Sequence, residues 1–157
     1  VPHIVALLAS PVHRYVGRPA DGPAPAPPGE LVDRVTIRAG LGIVGDRYFG
    51  RPAHREAAVT LIAEESLPAG AGLLEVRRNI LTSGIAVDDL VGAVLTLDCG
   101  DGPVSLRVHR PARPCAWMDT TIGPGAFRAL RGRGGIRCAP LTDGVLRVGP
   151  VEVTVTR

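Results

Sequence analysis

Twenty glycines and fifteen prolines punctuate a chain of 157 residues. Proline breaks helices and central strands, and both residues favour tight turns. So many breaks do not suit a protein of long helices; they fit many short strands joined by turns. Hydrophobic residues make up 45% of the chain but aromatics only 3%. The core must therefore be built from Val, Leu, Ile and Ala. The length fits one domain, residues 1–157, with room for a real core.

The expected elements follow in order. Residues 3–10 read as a buried strand; the apolar run 4–9 is too short to span a membrane and has no basic residues before it. Residues 17–29 form a proline-rich surface loop, with prolines at 19, 23, 25, 27 and 28 forbidding regular structure. A lid over a site is the functional alternative for that loop. Strands are expected at 31–38, 57–63 and 75–82, with a glycine-rich turn at 39–47 and short helical turns at 64–67 and 88–91. Alternation at 95–99 and 104–109 around CGDGP makes a hairpin. Residues 125–131 have helical spacing; 135–141, 144–148 and 151–156 read as strands. The expectation is a mostly β protein, a single β-barrel or strongly curved antiparallel sheet with one or two short helices.

All eighteen basic residues are arginine. Without lysine the chain can form no internal Schiff base with pyridoxal phosphate. A net charge of +3, with no basic run and no aromatic stacking motif, argues against a nucleic-acid partner. The three cysteines, Cys99, Cys115 and Cys138, contain no CxxC pair, so a structural zinc site is not expected. Free thiols fit a reducing compartment, here the cytoplasm.

Cys115 lies in HRPARPCAWMD, residues 109–119. Pro111 and Pro114 stiffen its approach, Arg110 and Arg113 bring positive charge, and a helix starting nearby would add partial positive charge. These features favour a thiolate, the form that attacks, carries sulfane sulfur or binds a soft metal. Cys99 and Cys138 sit in alternating strand patterns and read as structural. Arg77-Arg78-Asn79 falls inside the strand expected at 75–82, where neighbouring residues face opposite ways. One arginine then faces the interior and the other solvent. A buried arginine needs an acid, for which Asp46 and Glu75 are candidates, or an anionic ligand, with Asn79 adding donor and acceptor. Gly45-Asp46-Arg47 reads as a turn whose Asp46 bonds its own backbone.

Together these segments resemble the MOSC domain, the C-terminal domain of molybdenum cofactor sulfurases, which also occurs as small stand-alone bacterial proteins. The resemblance runs through GLGIVGDRYFG (40–50), AVTLIAEE (58–65), RRNILTSGI (77–85), LVGAVLTL (90–97), RPARPC (110–115) and GVLRVG (144–149), and its specificity lies in their order and spacing. It implies a barrel like the pyruvate kinase β-domain. It implies Cys115 as the sulfur-carrying or molybdenum-ligating cysteine, with Arg77, Arg78 and Asn79 near the cofactor's pterin. Asp46, Arg47 and Arg113 join them as cofactor-binding candidates. The implied functions are molybdenum cofactor (molybdopterin) binding, in a reductase of N-hydroxylated compounds fed by a separate electron donor, or a persulfide carrier served by a separate sulfur donor. A third alternative is a cysteine enzyme acting on a small sulfur-containing metabolite. Two positions depart from the family pattern: Gly149-Pro150 replaces a closing Gly-Asp pair, and Tyr48 stands where a histidine is usual.

Overall fold

The computed structural model describes all 157 residues. The strands are β1 (His3–Leu8), β2 (Leu31–Val32), β3 (Arg34–Arg38), β4 (Gly42–Ile43), β5 (Val59–Ala63), β6 (Ile80–Ser83), β7 (Val94–Asp98), β8 (Pro103–Pro111), β9 (Ile136–Pro140), β10 (Gly144–Arg147), β11 (Gly149–Pro150) and β12 (Glu152–Thr156). Three short helices interrupt them: α1 (Leu73–Val76), α2 (Trp117–Thr121) and α3 (Ala126–Ala129).

A nine-stranded sheet runs β11-β1-β6-β5-β9-β8-β7-β12, with β2 also paired to β1. Only β5 and β6 pair in parallel, and the connection that their direction requires carries α1. The two end strands, β11 and β12, are separated by the single residue Val151. The ends of the sheet are therefore drawn together, and the sheet curls into an open barrel that no hydrogen-bonded pair of strands closes. A second sheet, β10-β3-β4, packs on the same interior. The residues expected as one strand at 31–38 divide at Asp33: Leu31 and Val32 pair with β1, while Arg34–Arg38 pairs with β10.

Side-chain alternation divides the apolar residues between two cores. Leu7, Leu61 and Ile80 enter the barrel interior with eighteen other buried residues. Their neighbours Leu8, Ile62 and Leu81 point outward and are covered by Leu73, Val76, Trp117, Met118 and Leu130 from the helices. This is why β5 is buried along its whole length. Helices of four or five residues have no independent stability. They persist because this outer core holds them, and that outer core sits beside Cys115.

The segment expected as a strand at 75–82 is only half one. Residues 73–76 are helical, and the strand begins at Ile80. Between them Arg77 adopts φ 59 and ψ 36, the left-handed conformation, and is the only non-glycine residue with positive φ. A left-handed residue after a helix commonly ends it, although glycine or asparagine is the usual occupant.

Candidate functional site

The site is assembled where β8 leaves the sheet. Past Pro111 the Ala112 N–H donates to the Gly135 carbonyl at 2.8 Å. Gly134 and Gly135 allow this approach because they have no side chain. A Cβ on Gly134 would stand 2.2 Å from the Ala112 oxygen, and one on Gly135 would stand 2.0 Å from the Leu61 oxygen. Beyond Arg113 and Pro114, Cys115 is exposed. Its carbonyl accepts the Met118 N–H at 3.0 Å, and the buried Trp117 and Met118 anchor α2. The thiol is thus displayed on a segment pinned on both sides.

Arg78 approaches the same segment. Its Nε donates to the Gly134 carbonyl at 3.0 Å, Nη1 to the Val76 carbonyl at 3.0 Å and Nη2 to the Arg113 carbonyl at 3.5 Å. All three acceptors are neutral, and Arg78 takes part in no ion pair. Burial, then the repulsion of Arg137, pushes its guanidinium down to about 10, so it stays charged at neutral pH. The leading groups that favour its charge are the Cys115 thiol and the Tyr48 phenol, not a carboxylate.

Arg77 lies in different surroundings. Its guanidinium makes a two-pronged pair with Glu30, both contacts at 2.8 Å, and also donates to the Val12 carbonyl at 3.2 Å. Both side chains of the pair are almost wholly buried. The acid is neither Asp46 nor Glu75 but Glu30, which closes the proline-rich loop. The separation of the two arginines comes from the left-handed turn at Arg77, not from strand alternation, and neither is free in solvent.

The remaining candidates also turn inward. Asp46 accepts the Ser10 N–H and pairs with Arg47, both at 3.1 Å; Arg47 donates onward to the Arg77 carbonyl at 3.1 Å and lies 4.6 Å from the Tyr48 ring centre. Asn79 is fully buried. Its Oδ1 accepts from the backbone and hydroxyl of Thr60, and its Nδ2 donates to the Leu8 carbonyl, tying β1 to β5 at the head of β6. Arg113 is exposed beside Cys115. Cys138 is buried, and burial pushes its thiol well up; burial also raises the half-exposed Cys99, whose sulfur donates to the Arg147 carbonyl.

A cavity of about 490 Å³ is lined on one side by Pro111 to Pro114. Its other walls are Asp88, Phe127, Arg131, Gly132, Gly134 and Gly135, rather than Arg77-Arg78-Asn79. Sequence reasoning missed two contributors near the site. Glu30 carries no local signal, since its partner is 47 residues away. Tyr15, just before the proline-rich loop, stacks on Trp117 with ring centres 5.0 Å apart and planes at 12°. Its hydroxyl donates to the Glu75 carbonyl, and Thr120 Oγ1 donates to the Pro19 carbonyl at 3.3 Å. The loop is therefore laid against α2, one turn from Cys115.

No family model and no curated protein sequence matches the chain. Solved structures do. The YUAD protein from Bacillus subtilis aligns over 99% of this chain and 96% of its own, with a TM-score of 0.70 and 16% identity. YiiM from Geobacillus stearothermophilus aligns over 98% of this chain and 75% of its own, with a TM-score of 0.61 and 17% identity. YiiM from Escherichia coli aligns over 97% and 69%, with a TM-score of 0.58 and 16% identity. Likeness at this identity is likeness of fold, and the fold is of the MOSC type. No helix is long and apolar enough to cross a membrane.

Proposed function

We propose that the protein holds the molybdenum cofactor at Cys115, with the thiolate as the protein's ligand to the metal. The observation that carries this reading is the pairing of an exposed thiol with a desolvated guanidinium that has no acidic partner. A buried cation without a carboxylate is costly, and an anionic ligand relieves the cost.

The donor set fits this cofactor. Nowhere do three or more His, Cys, Asp or Glu side chains converge as a metal cage. A metal held at Cys115 must therefore bring most of its own ligands, as a molybdenum dithiolene does. When bound, the cofactor supplies a redox-active metal centre. The chain's own residues do the rest. Cys115 offers one soft ligand. Arg78, fixed by the Gly134 and Val76 carbonyls, offers charge and directed donors to the anionic part of the ligand. Arg113 adds positive charge at the exposed rim. Arg77, Asp46, Arg47 and Asn79 hold the turn and strands that aim Arg78. Electrons for any reduction come from a separate donor protein.

A second reading, persulfide carriage by Cys115, rests on the exposure of the same thiol with no second cysteine beside it to form a disulfide. Purification from a host that makes the cofactor, followed by metal and pterin analysis, separates the two. Stoichiometric molybdenum and pterin, lost in Cys115→Ser, is the expected result. Molybdenum-free protein that takes sulfane sulfur onto Cys115 would replace the first reading by the second. Protein that does neither would remove both.

A further inference from the structure

The cavity beside the Cys115 segment has an electrostatic character that the thiol site does not explain. Asp88, Arg113 and Arg131 all line it. None of the three is in an ion pair. Opposite charges on one concave wall normally pair with each other when they can reach. Here Asp88 and Arg131 each have another contact, and Arg113 is exposed. The Asp88 carboxylate spends Oδ1 on the Gly135 N–H at 2.9 Å. Burial is the leading cause that raises its carboxyl, which marks it as under-solvated. Arg133, whose charge favours the ionised Asp88 across the gap between their loops, donates instead to the Glu65 carbonyl at 2.8 Å. Arg131 lies with its guanidinium 5.9 Å from the centre of the Phe127 ring, and Phe127 also lines the cavity.

The walls are stiff. Pro111 and Pro114 form one side. On the other, Gly134 and Gly135 press so closely on Ala112 and Leu61 that no side chain fits there. A cavity of about 490 Å³ is in the size range of small-molecule sites.

We propose that this cavity is a binding site for a small zwitterion with a flat apolar group: the anionic end between Arg113 and Arg131, the ammonium on the free oxygen of Asp88, and the flat group against Phe127 and the prolines. A simple anion would leave Asp88 unpaired, and a simple cation would leave two arginines unpaired. A ligand with both ends matches both signs of charge on the wall. The cavity shares Arg113 with the cofactor site proposed above, but its test uses chain purified without metal or sulfur, so its failure and the failure of that reading are distinguishable.

The test is calorimetric titration of the purified chain with three probes of one shape: L-phenylalanine, 3-phenylpropionate, which lacks the ammonium, and phenethylamine, which lacks the carboxylate. L-phenylalanine should bind more tightly than either by about tenfold to a hundredfold, the scale of one charged hydrogen bond. Asp88→Asn keeps an oxygen for the Gly135 N–H and so preserves the loop. It should erase the preference for L-phenylalanine over 3-phenylpropionate. Arg131→Ala, at an exposed position, should reduce the preference over phenethylamine, with Arg113 retaining the remainder. Equal affinities for the three probes, no saturable binding of any, or preferences that both substitutions leave unaltered would overturn the proposal.

Discussion

Arg77 and Arg78 are adjacent, carry the same charge and are both packed against protein, yet they sit in opposite kinds of environment. Arg77 belongs to a closed polar cluster in which Ser10, Glu30, Asp46 and Arg47 satisfy one another. Arg78 belongs to an open one, bonded to carbonyls, with the charge of Arg137 opposing its own and Cys115 favouring it. The difference teaches where a ligand is wanted. A guanidinium matched by a carboxylate is part of the architecture; one held in place by neutral acceptors keeps its charge for something else. The left-handed turn that sends the two apart is unusual for a side chain as large as arginine, and the two-pronged bond to Glu30 holds it there.

Arg77→Ala gives the largest expected effect. It strands a buried carboxylate and should cost about 3–5 kcal/mol, a fall in Tm on the order of 10 °C for a chain of this size. Thermal and denaturant melts measure it. Arg78→Ala should cost less, about 1–3 kcal/mol, because the carbonyls it leaves are neutral and the burial cost of the cation is returned. If Arg78→Ala proves the more damaging of the two, the distinction between a structural and a ligand-directed arginine fails.

Acid should dissolve the closed cluster before the open one. Arg77 first, with Ser10 assisting against the cost of burial, holds the Glu30 carboxyl below its usual 4.5. A folded value depressed below the unfolded one gives stability that is complete above about pH 4.5 and is lost as pH falls through the folded value. Melts of wild type and Glu30→Gln from neutral pH downward should differ most at neutral pH and converge in acid. A gap that stays constant across that range would mean the pair contributes nothing through ionisation.

How much of this was legible depends on how local the cause is. The hairpin was readable because alternation and the CGDGP turn act between neighbours, and β7 and β8 fall where that pattern puts them. The emphasis on Cys115 came from the prolines and arginines around it; the fold leaves that thiol exposed. The segment 75–82 misled because its alternation is genuine from Ile80 onward but is preceded by a left-handed residue that no propensity favours at arginine. The break at Asp33 was hidden because it is set by which sheet each half joins. Glu30 and Tyr15 were invisible: both lie in or beside a proline-rich stretch that lacks periodicity, and both act on partners far along the chain.

Tyr15 also tests whether the two regions are separate, because it touches both. Its ring stacks on Trp117, two residues after Cys115, and its hydroxyl donates to the Glu75 carbonyl, two residues before Arg77. Thr121 of α2 donates to the same carbonyl at 3.3 Å. Burial raises the phenol above its ordinary value, so it remains a neutral donor throughout the physiological range. Tyr15→Phe keeps the stack and removes the donor. Because Thr121 still serves the Glu75 carbonyl, the loss should be at the low end of a single hydrogen bond, about 0.5–1 kcal/mol. Tyr15→Ala removes the stack as well and should cost more, by about 0.5–1.5 kcal/mol for the aromatic pair beyond the area lost. Melting curves of the two variants give the comparison. A Tyr15→Phe loss as large as that of Arg77→Ala would place the proline-rich loop inside the closed polar cluster, whereas the small loss expected here leaves it as a strap on the helix that follows Cys115.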